Sequence, residues 1–268
     1  MNRTAQPGRV LLAGTTALAA VLLGAPNAQA AESDISFSEI VFNGGRPIVV
    51  GITNPVDLPL TYTVRSTVEL SDWNVNAYRG TLGAENERVL VASSTRWSCA
   101  TTTASGYTYR RCDETVTVDP RWIRTGGGLV NGDATEWKTW GLGHKAAGGH
   151  DSDTNSATVI LQRASRIQDH NASPEPVAKG GTITVKGTVQ RANWTAHRYD
   201  NYGGRLVSLQ FKPAGSSTYT TVKKVTASSG GALKTTVTAT QDGTWRWKYY
   251  GNTATGASSS SGDYVDVQ

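Results

Sequence analysis

Asp151, Asp153 and Asn155 stand at the alternate positions with which a calcium loop begins. Such a loop needs glycine at its sixth position, where the chain turns sharply, and a bidentate glutamate at its twelfth. Ser156 and Gln162 occupy those places, which excludes a helix-loop-helix calcium site. A looser oxygen cage in an extracellular loop competes with the plainer reading of an acidic turn. His144 and His150 lie six apart in a glycine-rich stretch, with His170 and His197 elsewhere. Zinc takes four protein ligands in a structural site or three plus water in a catalytic one, and two nearby histidines fall short. No metal or other cofactor is expected.

Hydrolase signatures are missing: there is no G-x-S-x-G elbow and no H-E-x-x-H pair. Glu85, Glu87, Glu114 and Glu136 neither support nor forbid glycoside chemistry, which depends on carboxylate separation across a cleft. A Ser-His-Asp triad is likewise a matter of geometry. Small sandwiches filled by their own side chains leave little room for a deep site, so a non-enzymatic role is preferred. Cys99 and Cys112 are the two cysteines, and a redox dithiol would place such a pair at C-x-x-C spacing. The preferred reading is a structural disulfide joining the bases of a hairpin that turns near Gly106.

Binding has more support. Trp73 and Tyr78 sit among polar residues, while Trp137, Trp140, Trp194, Tyr199 and Tyr202 fall in or near expected loops. Exposed aromatics stack on sugar rings or anchor a protein partner; in a β-rich chain they also fill cores. The partners this favours are a cell-wall glycan or an extracellular protein. A nucleic-acid ligand is not expected, because basic residues form no long aromatic-interleaved cluster: Arg110-Arg111 and Lys223-Lys224 are isolated pairs.

The elements that must hold these residues are strands. Residues 1–30 read as a secretory signal: Arg3 and Arg9 with no acid, an apolar run over 10–23, and Ala28-Gln29-Ala30 for cleavage. The apolar run is short of the ~20 residues of a membrane span, and the mature chain is expected to have none. Cleavage removes two arginines and takes the formal charge of +5 to about +3, a value that speaks to solubility rather than partners. Paired arginines for export of folded protein are lacking.

The mature chain reads as two domains. Residues 31–170 form a β-sandwich with long glycine-rich loops, 171–181 a proline-containing linker, and 182–268 a second sandwich. In the first, strands are expected at 35–42 and 47–52, then one longer strand through Tyr62, Val64, Val68 and Leu70 with an adjustment near Ser66. A strand at 89–91 and a hairpin over 99–118 follow. Glycines 126, 127, 128, 132, 141, 143, 148 and 149 predict short strands and long loops over 121–155, closed by a strand at 157–162. Pro174 and Pro176 mark the linker. In the second domain alternation predicts strands at 182–191, 206–213, 218–225, 233–239, 243–250 and 263–267, with a short extra one over 192–199. Trp245 and Trp247 fall on one face and are expected in the core. Gly187 leaves a gap between Val185 and Val189 that predicts a bulge.

Six stretches carry a resemblance: Lys186-Gly187-Thr188-Val189, Arg191-Ala192-Asn193-Trp194, Val207 to Phe211, Tyr219 to Lys223, Asp242 to Arg246, and Gly262 to Val267. Together they resemble an immunoglobulin-like module of proteins exported by high-GC Gram-positive bacteria, well over 173–268 and more loosely before it. The resemblance implies two immunoglobulin-like β-sandwich domains in tandem, an all-β fold, and secretion. The family has no established catalytic or ligand-binding residues, so it assigns none. The expectation is a secreted, extracellular, non-enzymatic binding or structural protein. The alternatives are an inhibitor that inserts a loop into a hydrolase, and an enzyme of unrecognised type.

Overall fold

A computed structural model describes residues 33–91, 93–154 and 157–268; the side chains of 93–96 lie outside it. The expected signal segment 1–30 falls outside the described residues, as does Asn155 of the acidic loop. Among the described residues strands account for every regular element except two three-residue 3-10 turns. In chain order they are β1 (Ile35–Phe42), β2 (Ile48–Val50), β3 (Val56–Ser66), β4 (Leu70–Arg79), β5 (Arg88–Val89), β6 (Ser93–Ala104), β7 (Tyr107–Val118), β8 (Glu136–Lys145), β9 (His150–Asp153) and β10 (Thr158–Arg163). There follow β11 (Ser165–Ser173), β12 (Thr182–Asn193), β13 (Arg198–Asn201), β14 (Leu206–Pro213), β15 (Thr220–Thr226), β16 (Ala232–Thr238), β17 (Gly243–Tyr249), β18 (Ser258–Ser259) and β19 (Asp263–Val265).

They build four sheets, packed as two sandwiches. The first opposes β1-β3-β7-β6 to β2-β10-β8-β4-β5, with β9 on β8. The second opposes β11-β12-β13, joined by β16, to β15-β14-β17-β18, with β19 on β17. Here the chain passes from β12 to the other sheet at β14, returns at β16 and crosses again at β17. That is the Greek-key order of an immunoglobulin-like sandwich. Apolar alternation drives it: Ile183, Val185 and Val189 on one sheet face Val207, Leu209, Trp245 and Trp247 on the other, all buried.

Several glycine positions carry packing rather than looseness. The expected short strands near Trp137 are one ten-residue strand, β8, with Gly141 and Gly143 inside it. A Cβ at Gly141 would lie 2.3 Å from the Phe37 ring and one at Gly143 2.9 Å from Ile35, so the opposite sheet reaches in where these side chains are missing. Gly187 behaves similarly: it pairs in register with Leu233, and the Trp247 ring fills the space over it. The bulge expected there lies on the neighbouring strand instead, between Gln168 and Asn171 of β11. The long strand expected through Ser66 is two strands, since the chain leaves β3 and crosses to the other sheet as β4.

The disulfide joins Cys99 and Cys112, directly opposed on β6 and β7. It sits within the hairpin rather than at its base, because pairing runs on to Ser93 and Thr117 beyond it. The turn is Ser105-Gly106, both with positive φ (51° and 79°), as a tight two-residue hairpin turn requires. Replacing both cysteines with alanine is expected to lower unfolding free energy by about 3 kcal/mol on loop-closure grounds. Denaturant midpoints check this, and mass spectrometry of non-reduced peptides should show Cys99 and Cys112 linked.

The passage between sandwiches is strand, not linker. β10 continues into β11 with Ala164 alone between them, and that residue is hydrogen-bonded on both sides: its N–H to the Val50 carbonyl and its carbonyl to the Ala192 N–H, both at 2.8 Å. Residues 171–173, read from nearby prolines as a linker, end β11 and pair with Lys186 to Thr184. The rest of 171–181 lies along the C-terminus, where Val177 bridges Val267 and the Lys179 N–H donates to the Gln268 carbonyl. Pro174 and Pro176 bend a bound segment. Trp194, fully buried, reaches from the β12–β13 turn into the first core and donates its indole N–H to the carbonyls of Gly51 (2.8 Å) and Val50 (3.2 Å).

A second fixture holds the glycine-rich loop of the first sandwich. Asp133 is fully buried and accepts from Arg79 at 2.8 Å, Arg88 at 2.6 Å and the Val130 N–H at 2.8 Å. Arg88 in turn donates to the carbonyls of Gly126 and Gly128. Three glycines in a row therefore keep one course, because two guanidinium groups are tied to one carboxylate.

Candidate functional site

Pairing register decides which side chains meet. Tyr62 of β3 faces inward and pairs with Cys112, which places Glu114, two residues along β7, on the same inner face beside Leu60 and Trp97. The intervening rung, Thr61, Asp113 and Ser98, faces outward with Pro59 and Thr115. β6 is the edge of its sheet, so Trp97 stands at a free margin and is 53% exposed.

Trp97 is backed by a stack. Trp73, from β4 of the other sheet, lies 5.1 Å from it between ring centres at a 52° tilt. The Arg110 guanidinium sits 5.1 Å from the Trp73 ring and donates to the Ser66 hydroxyl at 3.0 Å. The Trp73 indole N–H is buried and meets no acceptor among the described residues. Beneath this, the Tyr62 hydroxyl donates to Glu114 Oε1 at 2.5 Å. Burial pushes the Glu114 carboxyl above its ordinary range, against the Tyr62 hydrogen bond and with help from the Asp72 charge. Burial and then Glu114 push the Tyr62 phenol far up as well.

An open recess of about 610 Å³ lies across β3, β7 and β6, lined by Pro59, Thr61, Trp97, Asp113, Glu114 and Thr115, with Ser98. The outward rung gives it the Asp113 carboxylate and the Thr61, Ser98 and Thr115 hydroxyls, while Trp97 and Glu114, of the inward rung, border it at the sheet margin. Asp113 and Glu114 are adjacent in one strand and point to opposite faces. They do not face each other across a cleft, as glycoside cleavage by a paired acid and base requires.

The aromatic residues singled out in the sequence separate into groups. Trp137 and Trp194 are fully buried and Tyr78 is 7% exposed, so these three belong to the core and are removed from the surface. Trp137 donates its indole N–H to the Asp133 carbonyl at 2.9 Å, which explains an aromatic among glycines. Trp73 and Trp140 are half-buried on neighbouring strands β4 and β8. Tyr199 lies under the Arg166 guanidinium (4.1 Å), and Tyr202 under those of Arg191 (4.1 Å) and Arg205 (4.9 Å), in the second sandwich. Of the seven, Trp73 alone takes part in the recess region. Trp97 escapes the sequence reading, and Glu114 entered it only among four glutamates weighed for glycoside chemistry; the available signal was a tryptophan flanked by polar residues two positions before a cysteine.

The acidic and histidine stretches have local partners. Asp151 lies 3.2 Å from Lys145 Nζ, and Asp153 accepts the Phe37 N–H at 2.9 Å. His144 and His150 are opposed on β8 and β9 with ring centres 5.8 Å apart. His170 bridges the two sheets of its sandwich through the carbonyls of Lys186 (3.2 Å) and Trp245 (3.0 Å). Among the described residues no three of His, Cys, Asp and Glu are grouped to hold a metal ion.

Comparison with known proteins adds no family. Neither a protein-family model nor a curated protein matches the sequence. Solved structures match at low similarity. The D00-D0 domain of intimin is 12% identical with a TM-score of 0.29, covering 86% of this chain and 98% of its own. A structure concerning host cell surface retention of a bacterial ice-binding adhesin is 12% identical with a TM-score of 0.27, covering 88% and 67%. The tandem Ig repeats of Dlar are 8% identical with a TM-score of 0.21, covering 87% and 97%. Likenesses this weak carry nothing about a ligand. Among the described residues no helix is long and apolar enough to cross a membrane.

Proposed function

We propose that this chain is a secreted, non-enzymatic binding protein of the cell exterior, and that its ligand is a glycan held at the recess beside Trp97. The observation that carries this reading is a half-exposed indole at a sheet edge, backed by Trp73, one rung from the outward-facing Asp113, Thr61 and Ser98 that line the recess. A sugar ring presents C–H groups on its faces and hydroxyls around its rim. An aromatic plane meets the first, and carboxylates and hydroxyls the second. The disulfide one rung from Ser98 steadies the strand that carries Trp97. Secretion rests on the signal-like segment 1–30 and on the disulfide, which suits an oxidising compartment.

The inhibitor reading finds less support in the geometry. The disulfide hairpin is held in its sheet as far as the pair Ser66 and Thr108, so only the few residues about the Ser105-Gly106 turn project beyond it.

Co-sedimentation with purified peptidoglycan, cellulose and chitin tests the proposal. Retention on at least one polymer is expected, with Trp97→Ala weakening it at least ten-fold and leaving the fold intact. A central aromatic anchor contributes about 2 kcal/mol or more to an interface. Equal retention of the variant, or none by any polymer, would overturn the proposal.

A further inference from the structure

Arg163, Arg191 and Arg205 are far apart in sequence, yet the fold gathers them at one end of the second core, where β10 passes into β11. Arg163 is 8% exposed, and its one side-chain hydrogen bond runs from Nε to the Ala192 carbonyl at 2.5 Å. Its two terminal amino groups meet no protein acceptor among the described residues. Arg191 and Arg205 both lie on the Tyr202 ring, at 4.1 and 4.9 Å. Arg191 also donates loosely to the buried Thr255 hydroxyl, which stands 3.4 Å from the Tyr202 hydroxyl. The β-bridge between Arg163 and Thr255 puts the third arginine beside the same node.

No carboxylate pairs with any of the three among the described residues. Asp200 lies opposite Arg191 on β13, but its oxygens are taken by Arg198 at 2.8 Å and Asn193 at 2.5 Å. One more group is left over: the hydroxyl of Tyr249, which is 4% exposed and packed edge-on to Tyr202 at 6.0 Å, is buried and makes no hydrogen bond of ordinary geometry among the described residues, with Tyr202 as its polar neighbour. Unpaired cations so close together and a stranded buried hydroxyl are each costly unless something answers them. Their effect on each other is visible in Arg163, whose guanidinium burial and then the Arg191 charge bring down to about 10, against weaker support from Tyr202 and Asp200.

We propose that this cluster is an oxyanion site that takes a phosphate- or sulfate-type group, held by the arginine N–H forks of Arg163, Arg191 and Arg205 and by the hydroxyls of Tyr202, Tyr249 and Thr255. Guanidinium forks match tetrahedral oxyanions in geometry and stay charged when partly buried. Tyr202 and Arg205, half-buried, form the side open to solvent. The site is separate from the Trp97 recess and does not depend on the glycan reading. The anion is either free in solution or borne as an ester on a larger molecule.

The test is a titration of the full chain, carrying 13Cζ-labelled tyrosine, with inorganic phosphate, glycerol 3-phosphate and dimethyl phosphate at constant ionic strength. Saturable shifts of Tyr202 and Tyr249 are expected with inorganic phosphate. Arg191→Gln should weaken it about ten-fold, as loss of a charged hydrogen-bonding partner does, and Lys223→Gln/Lys224→Gln less than two-fold. Glycerol 3-phosphate or dimethyl phosphate binding as tightly as the ion supports an ester-borne group; weaker binding of both esters supports the free ion. Arg205→Gln repeats the test should Arg191→Gln fail to fold. Burial raises the Tyr202 phenol, but the hydrogen bonds with Thr255 and Asn252, then the Arg191 charge, outweigh it and set the phenol at about 8; bound anion should lift it. No saturable shift with any of the three anions, or equal weakening by the Lys223 and Lys224 changes, would overturn the proposal.

Discussion

Replacing Trp194 with alanine is expected to lower the unfolding free energy by about 3 to 5 kcal/mol, the range for removing a fully buried tryptophan. The effect has two sources. The indole fills space in the first core although it is carried by the turn after β12, so its loss opens a cavity where the two sandwiches meet. The carbonyls of Val50 and Gly51 also lose their donor. Gly51 lies just past β2, so the edge of the first sandwich should loosen with the junction. Denaturant unfolding followed by intrinsic fluorescence checks the magnitude, and hydrogen exchange at Gly51 and Ala164 checks the place. A loss below about 1 kcal/mol would mean that the tryptophan does not tie the two bodies. Trp194→Phe separates the sources, since it keeps most of the volume and removes the N–H.

Asp133→Ala should cost a similar amount, about 3 to 5 kcal/mol, for a different reason. The carboxylate is fully buried and faces two cations; deleting it leaves Arg88, whose side chain is 18% exposed, without its counter-charge. Arg79 is 41% exposed and can turn to water, so Arg88 carries most of the penalty. The consequence should appear first in the loop over 124–130, which Arg88 holds through the Gly126 and Gly128 carbonyls. Limited proteolysis is expected to cut there in the variant and not in the parent protein. Asp133→Ala together with Arg88→Met should recover part of the stability, because the stranded charge is then gone as well. No recovery in the double variant would show that the carboxylate acts through Val130 and not through Arg88.

The second sandwich was largely legible because its core strands alternate cleanly. Trp245 and Trp247 sit where their spacing placed them, and the strands near 206–213 and 243–250 differ from expectation by one residue at most. Glycine misled in the first sandwich. Its composition argued against a long strand around Trp137, whereas Phe37 and Ile35 of the facing sheet need that space, and a single sequence does not show which residue lies opposite. Proline misled at 174 and 176 because β11 carries a bulge at Asp169 and His170 that breaks its alternation, so a strand looked like a polar connection. Sites were harder still. Trp97 meets Trp73 across two sheets, and Arg191 and Arg205 meet at Tyr202; neither closeness has a counterpart in sequence spacing.

The binding surface can be tested most directly by fluorescence titration of the full chain with soluble peptidoglycan fragments, comparing Trp97→Ala with Trp122→Ala. Trp122 is equally exposed, at 54%, but lies in a loop and is not among the residues lining the recess. A saturable change that survives Trp122→Ala and vanishes with Trp97→Ala is the predicted result. A response that persists without Trp97 would contradict it.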